Sequence, residues 1–258
     1  ALVASKLDIR IAHLEAGLRS FDRAMPEEIN RLLTDQLSDY LFITEDSARI
    51  NLINEGINTE KIVFTGNTMI DTLSKNIAKA KSLTTCKKYE LSQNQYCLVT
   101  MHRPSNVDDL DGLKNIVKML NNISSNIKVI FPIHPRTNNK IQELSLSFNE
   151  SVICVGPLPY MEFLSLMSDS LLVLTDSGGV QEETTYLGVQ CVTFRENTER
   201  PVTVESGTNH LVGVDILNTI DTIAKILDGD KKIGQIPKYW DGKAGQRTIQ
   251  YLEKVNLK

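Results

Sequence analysis

The sequence lacks any run approaching the roughly 18 to 20 apolar residues that spanning a bilayer needs. It also lacks the basic region, apolar stretch and small-residue cleavage site of a secretory signal. Both absences point to a cytoplasmic protein without a membrane span. There is no excess of positive charge: 28 Lys and Arg stand against 32 Asp and Glu, a formal net charge of −4. A general nucleic-acid surface is thereby disfavoured, and an anionic ligand has to be held by local donors rather than by the overall field. Closely spaced cysteines are missing too. Cys86, Cys97, Cys154 and Cys191 stand far apart, with none of the spacings of a zinc or redox pair, so they are expected to be buried thiols. No metal-ligand cluster, G-x-S-x-G elbow or P-loop occurs, which counts against hydrolase and NTPase chemistry. Internal repeats and low-complexity tracts are likewise missing.

What is present is α/β grammar. The chain has 258 residues, enough for two modest domains with adequate cores, and its 41% hydrophobic and 23% charged content is that of an ordinary globular protein. Residues 1–7 read as the last turns of a helix without a cap, so the chain is expected to begin within a domain. An apolar strand over Ile9–Leu14 follows, then YLFIT (40–44), a helix over Asp46–Glu55, KIVFT (61–65) and a helix from about Asn67 to Lys81. The polar stretch 82–95 has no clean period and is read as a linker. A second set of apolar strands follows at 96–101, 128–133, 152–156, 171–175 and 189–194, and such continuous runs suit a parallel sheet covered on both faces. A closing helix is expected over Asp241–Lys258. The division implied is 1–88, 89–240 and 241–258.

Several loops carry chemistry-bearing residues. In HLEAGLRSFDRAMPEEINR (13–31), Glu15 and the pair Glu27 and Glu28 flank one loop after a strand, an arrangement suited to proton transfer. In LLVLTDSGGVQEETTYLG (171–188), a buried strand ends at Asp176 and a helix opens around Gly178. Free N–H groups there favour an anion, Gly178 and Gly179 allow close approach, Ser177 adds a hydroxyl, and Gly188 suits the helix end. A carboxylate aimed at a phosphate would repel it, so at least one of Glu182 and Glu183 should point elsewhere, with ribose hydroxyls a natural target. The plainer alternative is an ordinary strand-turn-helix junction. In TMHRPSNVDD (100–109), His102 and Arg103 follow a strand, and Asp108 or Asp109 can cap the next helix. His102 either contacts a pyrophosphate or fixes its loop by hydrogen bonds. FPIHPRT (131–137) offers His134 and Arg136, with two prolines that suggest rigidity. The loop 194–209, with Arg195, Glu196, Glu199 and Arg200, shows no helix period; it is either solvated or reaches the same crevice. His13 reads as a satisfied core residue.

These motifs, with TGNTMID (65–71) and TERP (198–201), resemble in order and spacing the UDP-N-acetylglucosamine 2-epimerases of the non-hydrolysing type over almost the whole chain. The resemblance implies two Rossmann-like domains in a glycosyltransferase-B-like arrangement, the active site in the cleft between them and a last helix crossing back onto the first. It implies that Ser177, Gly178 and Gly179 hold the diphosphate of a UDP-sugar, Glu183 the ribose and Phe163 the uracil, while Arg200 completes the site. His102 matches the active-site histidine, and Glu15 and Glu27 match carboxylates of the acid-base chemistry. The implied reaction inverts carbon 2 by eliminating UDP to a glycal-like intermediate and adding it back, without metal or cofactor, in a homodimer that makes polysaccharide or glycoconjugate precursors. Two departures stand out. Family members carry a further upstream segment, so the first domain is expected to be truncated at its N-terminus and this chain alone to be inactive. The loop from Arg19 to Pro26 is shorter than in members activated by a second substrate molecule, and His134 and Arg136 match the region of that regulatory site. Competing readings are a hydrolysing or diacetamido-sugar 2-epimerase, a glycosyltransferase, and a catalytically silent nucleotide-sugar binding module.

Overall fold

The structure, a computed structural model, describes residues 1–107 and 109–256, the side chains of Pro104, Ser105 and Asn256 excepted. Asp108, one of the two expected caps, lies outside the described residues. The chain divides into two compact units, Ala1–Lys75 with Thr198–Ser206 and Ile236–Lys258, and Asn76–Asn197 with Gly207–Gln235.

The first unit is built on a parallel sheet of three strands, β1 (Ala12–Leu14), β2 (Tyr40–Ile43) and β3 (Ile62–Phe64), in the order β1-β2-β3. Its core gathers Ala16, Leu18, Leu41, Ile43, Ala48, Leu52 and Ile62. The first strand is shorter than the apolar segment Ile9–Leu14. It is an edge strand with Ala12 and Leu14 exposed, and Ile11 just before it donates its N–H to Asp39 Oδ2 at 2.8 Å. The TGNTMID motif receives the chain's end. Asp71 accepts the N–H groups of Ala244 and Gly245 at 2.9 and 2.7 Å, capping the helix Ala244–Asn256, and Trp240 donates its indole N–H to Thr44 O at 3.1 Å. Gly66 lies at φ +94°, where a Cβ would fall 2.1 Å from Tyr239 O, so only glycine fits.

The second unit holds six parallel strands: β4 (Tyr96–Thr100), β5 (Lys128–Pro132), β6 (Val152–Val155), β7 (Leu172–Thr175), β8 (Gln190–Thr193) and β9 (Asn209–Leu211). Their order is β6-β5-β4-β7-β8-β9, so the chain winds outward from β4 in one direction and from β7 in the other. The direction of winding reverses between β4 and β7, the switch point at whose carboxyl end open α/β sheets bind ligands. Both central strands are buried on both faces, Leu98, Val99, Leu172, Val173 and Leu174 being fully so. Each such side chain contributes roughly 1.5–3 kcal/mol relative to exposure.

Three expectations are corrected. Residues 82–95 are not a bare linker: they contain the short helix Thr85–Lys88, and Cys86 and Leu91 pack under Tyr96, Leu98 and Leu166. Two apolar anchors in a polar stretch are too few to show a period. Cys154 is exposed rather than buried, because β6 is an edge strand. The loop 194–209 contains the helix Pro201–Glu205 and leads into β9, elements of five and three residues that are too short for periodicity to reveal. Asp109 caps the helix Leu110–Ile123 as expected, accepting Gly112 N–H at 2.8 Å.

Candidate active site

In the second unit, the segments following β4 and β7 meet through Asp176. This carboxylate is fully buried and accepts hydrogen bonds from the backbone N–H of His102 (3.1 Å to Oδ2), the N–H of Arg103 (2.9 Å) and the amide of Asn106 (2.9 Å). The imidazole Nδ1 of His102 lies 2.9 Å from Asp176 Oδ1, and Arg103 Nε donates to the Asp176 carbonyl at 3.1 Å. Burial alone would raise the carboxyl pKa of Asp176; the His102 and backbone donors outweigh it and hold the pKa below its ordinary value. His102 shifts the opposite way, upward, chiefly through its bond to Asp176 and against partial burial and the charges of Arg103 and Arg195.

The helix Gly178–Leu187 starts two residues beyond Asp176. Its N-cap, Ser177, makes no side-chain capping bond, and the helix closes at Gly188 with φ +72°, as its composition anticipates. Ser177, Gly178 and Gly179 are partly exposed at this opening, whereas Gln181, Glu182 and Glu183 are buried. Glu183 Oε1 accepts the hydroxyl of Tyr160 at 2.9 Å. Burial raises the Glu183 pKa against that bond, and burial and the carboxylate together push the Tyr160 phenol up. Phe163 sits one helical turn beyond Tyr160 in the helix Tyr160–Asp169, partly buried against the cluster around Leu98 and Leu166. His134 is the N-cap of the helix Pro135–Glu143, with Nδ1 accepting Arg136 N–H at 3.3 Å, and both side chains are exposed.

In the first unit, the 13–31 motif folds as a loop pinned to the helix Pro26–Leu37 by two buried carboxylates of that helix. Glu28 accepts the N–H and Oγ–H of Ser20 at 3.0 and 3.1 Å and the N–H of Phe21 at 3.0 Å. Asp35 accepts Gly17 N–H at 3.1 Å and Arg19 Nη2 at 2.6 Å, with His13 Nδ1 at 2.5 Å. His13 is thus satisfied, as read, though its side chain is 21% exposed rather than in a core. Glu27 is exposed and Glu28 is 2% exposed, so adjacent residues of one motif split into an accessible carboxylate and a structural one. Glu15 lies within 4.0 Å of Arg200 Nη2; Arg200 also pairs with Glu199, and Arg31 reaches both Glu199 and Glu28 at 3.6 Å. Charges therefore alternate from Glu28 through Arg31, Glu199 and Arg200 to Glu15.

The motifs alone did not single out Asp176 as the partner of His102, Tyr160 as the partner of Glu183, or Glu45. The last is 2% exposed at the end of β2, with Oε1 accepting Ser47 Oγ–H at 2.5 Å and Oε2 without a hydrogen bond. Burial pushes its carboxyl up to about 7, against the Ser47 bond, the Val202 N–H and the Arg200 charge. Among the described residues no group of three or more His, Cys, Asp or Glu could hold a metal ion, and no helix is long and apolar enough to cross a membrane.

A doubly wound parallel sheet whose switch point joins a histidine loop to a glycine-opened helix N-terminus defines the class of α/β nucleotide-binding enzymes. The UDP-N-acetylglucosamine 2-epimerase family matches residues 1–253, and the chain belongs to it. It is 44% identical over 261 residues to the UDP-N-acetylglucosamine 2-epimerase of Methanocaldococcus jannaschii, an alignment covering 98% of this chain and 71% of that protein. It is 43% identical over 262 residues to the UDP-2,3-diacetamido-2,3-dideoxy-D-glucuronate 2-epimerase of Pseudomonas aeruginosa, covering 99% and 71%. The crystal structure of the M. jannaschii UDP-GlcNAc 2-epimerase in complex with UDP-GlcNAc and UDP matches with a TM-score of 0.86 at 42% identity, covering 98% of this chain and 71% of that one.

Proposed function

We propose that the protein is the isomerase its family membership indicates, inverting carbon 2 of UDP-N-acetylglucosamine to give UDP-N-acetylmannosamine. The observation that carries this reading is the junction at the switch point. Asp176 ties His102 to the opening of the helix Gly178–Leu187, so a histidine and the N-terminus of a glycine-opened helix converge where a sugar-nucleotide diphosphate would lie, the Ser177 N–H itself donating to Thr175 Oγ1 at 3.0 Å. Ser177, Gly178 and Gly179 bind that diphosphate; Glu183, with Oε1 occupied by Tyr160, offers its other oxygen to the ribose; Phe163 lies beside the uracil. Arg200, 4.0 Å from Glu15, completes the sugar-nucleotide site.

The reaction breaks the C2–H and C1–O bonds, with the proton going to a base and the C1–O electrons leaving with UDP. Re-addition delivers a proton to the opposite face of C2 while the UDP oxygen returns to C1. Two proton positions are required, and Glu15 and Glu27 supply them. UDP has to remain bound between the steps, so the diphosphate contacts serve catalysis as well as affinity. A cytoplasmic homodimer feeding polysaccharide or glycoconjugate synthesis is the setting that the family resemblance supports.

The test is incubation of the complete gene product with UDP-N-acetylglucosamine in D2O. The reading expects deuterium at carbon 2 and UDP-N-acetylmannosamine without net release of UDP. Stoichiometric UDP and free N-acetylmannosamine would instead assign the hydrolysing reaction. Because the P. aeruginosa relative is named for a diacetamido uronate, that UDP-sugar belongs in the same panel. Exchange with it alone would reassign the substrate.

A further inference from the structure

We propose that Asp176 is a positioning residue for His102, accepting the imidazole Nδ1–H and leaving Nε2 as the nitrogen that meets the diphosphate of the UDP-sugar. The second half rests on the assignment of Ser177 to Gly179 to that diphosphate. An ionised carboxylate can only accept, so the 2.9 Å contact to Nδ1 requires that this nitrogen carry the proton. Burial and three further donors fix the Asp176 carboxylate before the ring arrives: the N–H groups of His102 and Arg103 and the Asn106 amide. The His102 side chain is 62% exposed, so the ring is tethered on one edge and open on the other.

The groups acting on the ring are Asp176, which favours the imidazolium, and Arg103 and Arg195, which oppose it. Asp176 wins, keeping His102 charged to higher pH than a free histidine. An imidazolium with its Nε2–H available suits a diphosphate, and most of all the UDP that carries extra charge once the C1–O bond has broken. The same carboxylate immediately precedes Ser177, so one residue sets both the histidine and the start of the phosphate-binding turn.

The simpler role, a staple for the 102–106 loop, makes different predictions. With 15N-labelled histidine, the four histidines can be followed by NMR and His102 assigned by its loss in His102→Asn. At high pH, neutral His102 of the unaltered protein is expected as the Nδ1–H tautomer; the Nε2–H tautomer would overturn the proposal without any variant having to fold. In Asp176→Asn, the His102 midpoint is expected to fall by about one pH unit or more, since an opposite charge in contact moves a pKa by ~1–3.

Binding of UDP-N-acetylglucosamine, whose diphosphate is esterified at both ends and does not titrate near neutrality, is expected to weaken as pH rises through the His102 midpoint. That fall should move to lower pH in Asp176→Asn and vanish in His102→Asn. An unmoved midpoint with uniformly weaker binding would leave Asp176 as a staple and sink the proposal. A moved midpoint with no pH step in the unaltered protein would instead remove the diphosphate contact, and with it the second half.

Discussion

Glu27 and Glu28 are adjacent in sequence and opposite in expected effect, and replacing each by alanine separates catalysis from architecture. Glu28 is 2% exposed and holds the N–H and hydroxyl of Ser20 and the N–H of Phe21, with Arg31 at 3.6 Å. Truncation strands the buried Ser20 N–H, at about 1–3 kcal/mol. The Phe21 amide belongs to a residue that is 76% exposed and finds water readily, so it adds little. Loss of the Arg31 contact brings the sum to about 2–4 kcal/mol. At ~4–8 °C per kcal/mol for a unit of about 100 residues, the midpoint of the first unit should fall by roughly 8–32 °C.

Trp240, the one tryptophan, is 1% exposed within that unit, so its fluorescence follows this unfolding specifically. Glu27→Ala should leave the Trp240 midpoint in place while abolishing deuterium exchange at carbon 2, because its exposed carboxylate can reach substrate and the buried one cannot. A Glu28→Ala melt that overlays the unaltered one, or an equal drop in Glu27→Ala, would refute this division.

Two further outcomes follow from buried carboxylates. Glu45 is raised from its ordinary 4.5 to about 7, so between those values the folded state holds a proton that the unfolded chain has released; stability falls as pH rises through that window and levels off above it. Glu45→Gln should remove this descending component in urea titrations monitored by Trp240 between pH 4 and 8, and an unchanged slope would show that the proton is held elsewhere. Tyr160→Phe frees the Glu183 oxygen that the phenol now occupies. Calorimetry should then show weaker binding of UDP with little change for 2′-deoxy-UDP, and an equal loss for both would detach Tyr160 from ribose recognition.

The parallel strands of the second unit were legible because each is a continuous apolar run buried on both faces, and the helix after β7 was legible because Gly178, Gly179 and Gly188 punctuate both of its ends. The role of Asp176 was not. The sequence places it at a strand end, but its partner His102 lies 74 positions away, and only the winding of the sheet makes β4 and β7 neighbours. The residues by themselves did not separate Glu27 from Glu28 either; only the family resemblance named Glu27. Both occupy the first turn of one helix, and a rotation of about 100° between successive residues sends one to solvent and the other under the loop. Cys154 shows the same limit in a strand, since its exposure depends on β6 being outermost.

Glu15 ties these strands together, because its conformation is held by groups that do no chemistry themselves. It lies at φ +61°, a left-handed geometry that costs an L-residue about 1–2 kcal/mol and persists only where its surroundings over-determine it. Here they do. Ala16 N–H donates to Phe42 O at 3.1 Å, Gly17 N–H to Asp35, and Asn51 donates to Gly17 O at 2.9 Å. Gly17 itself sits at φ +78° with Ala48 O only 2.5 Å from where a Cβ would be, so the backbone after Glu15 presses against the helix Asp46–Asn54 as closely as a glycine allows. Gly17, Arg19, Glu28 and Asp35 of the HLEAGLR and PEE motifs therefore shape and clamp the turn that carries Glu15. If Glu15 is one of the two proton-transfer groups proposed above, its direction is set by its backbone, with Arg200 at 4.0 Å from its carboxylate.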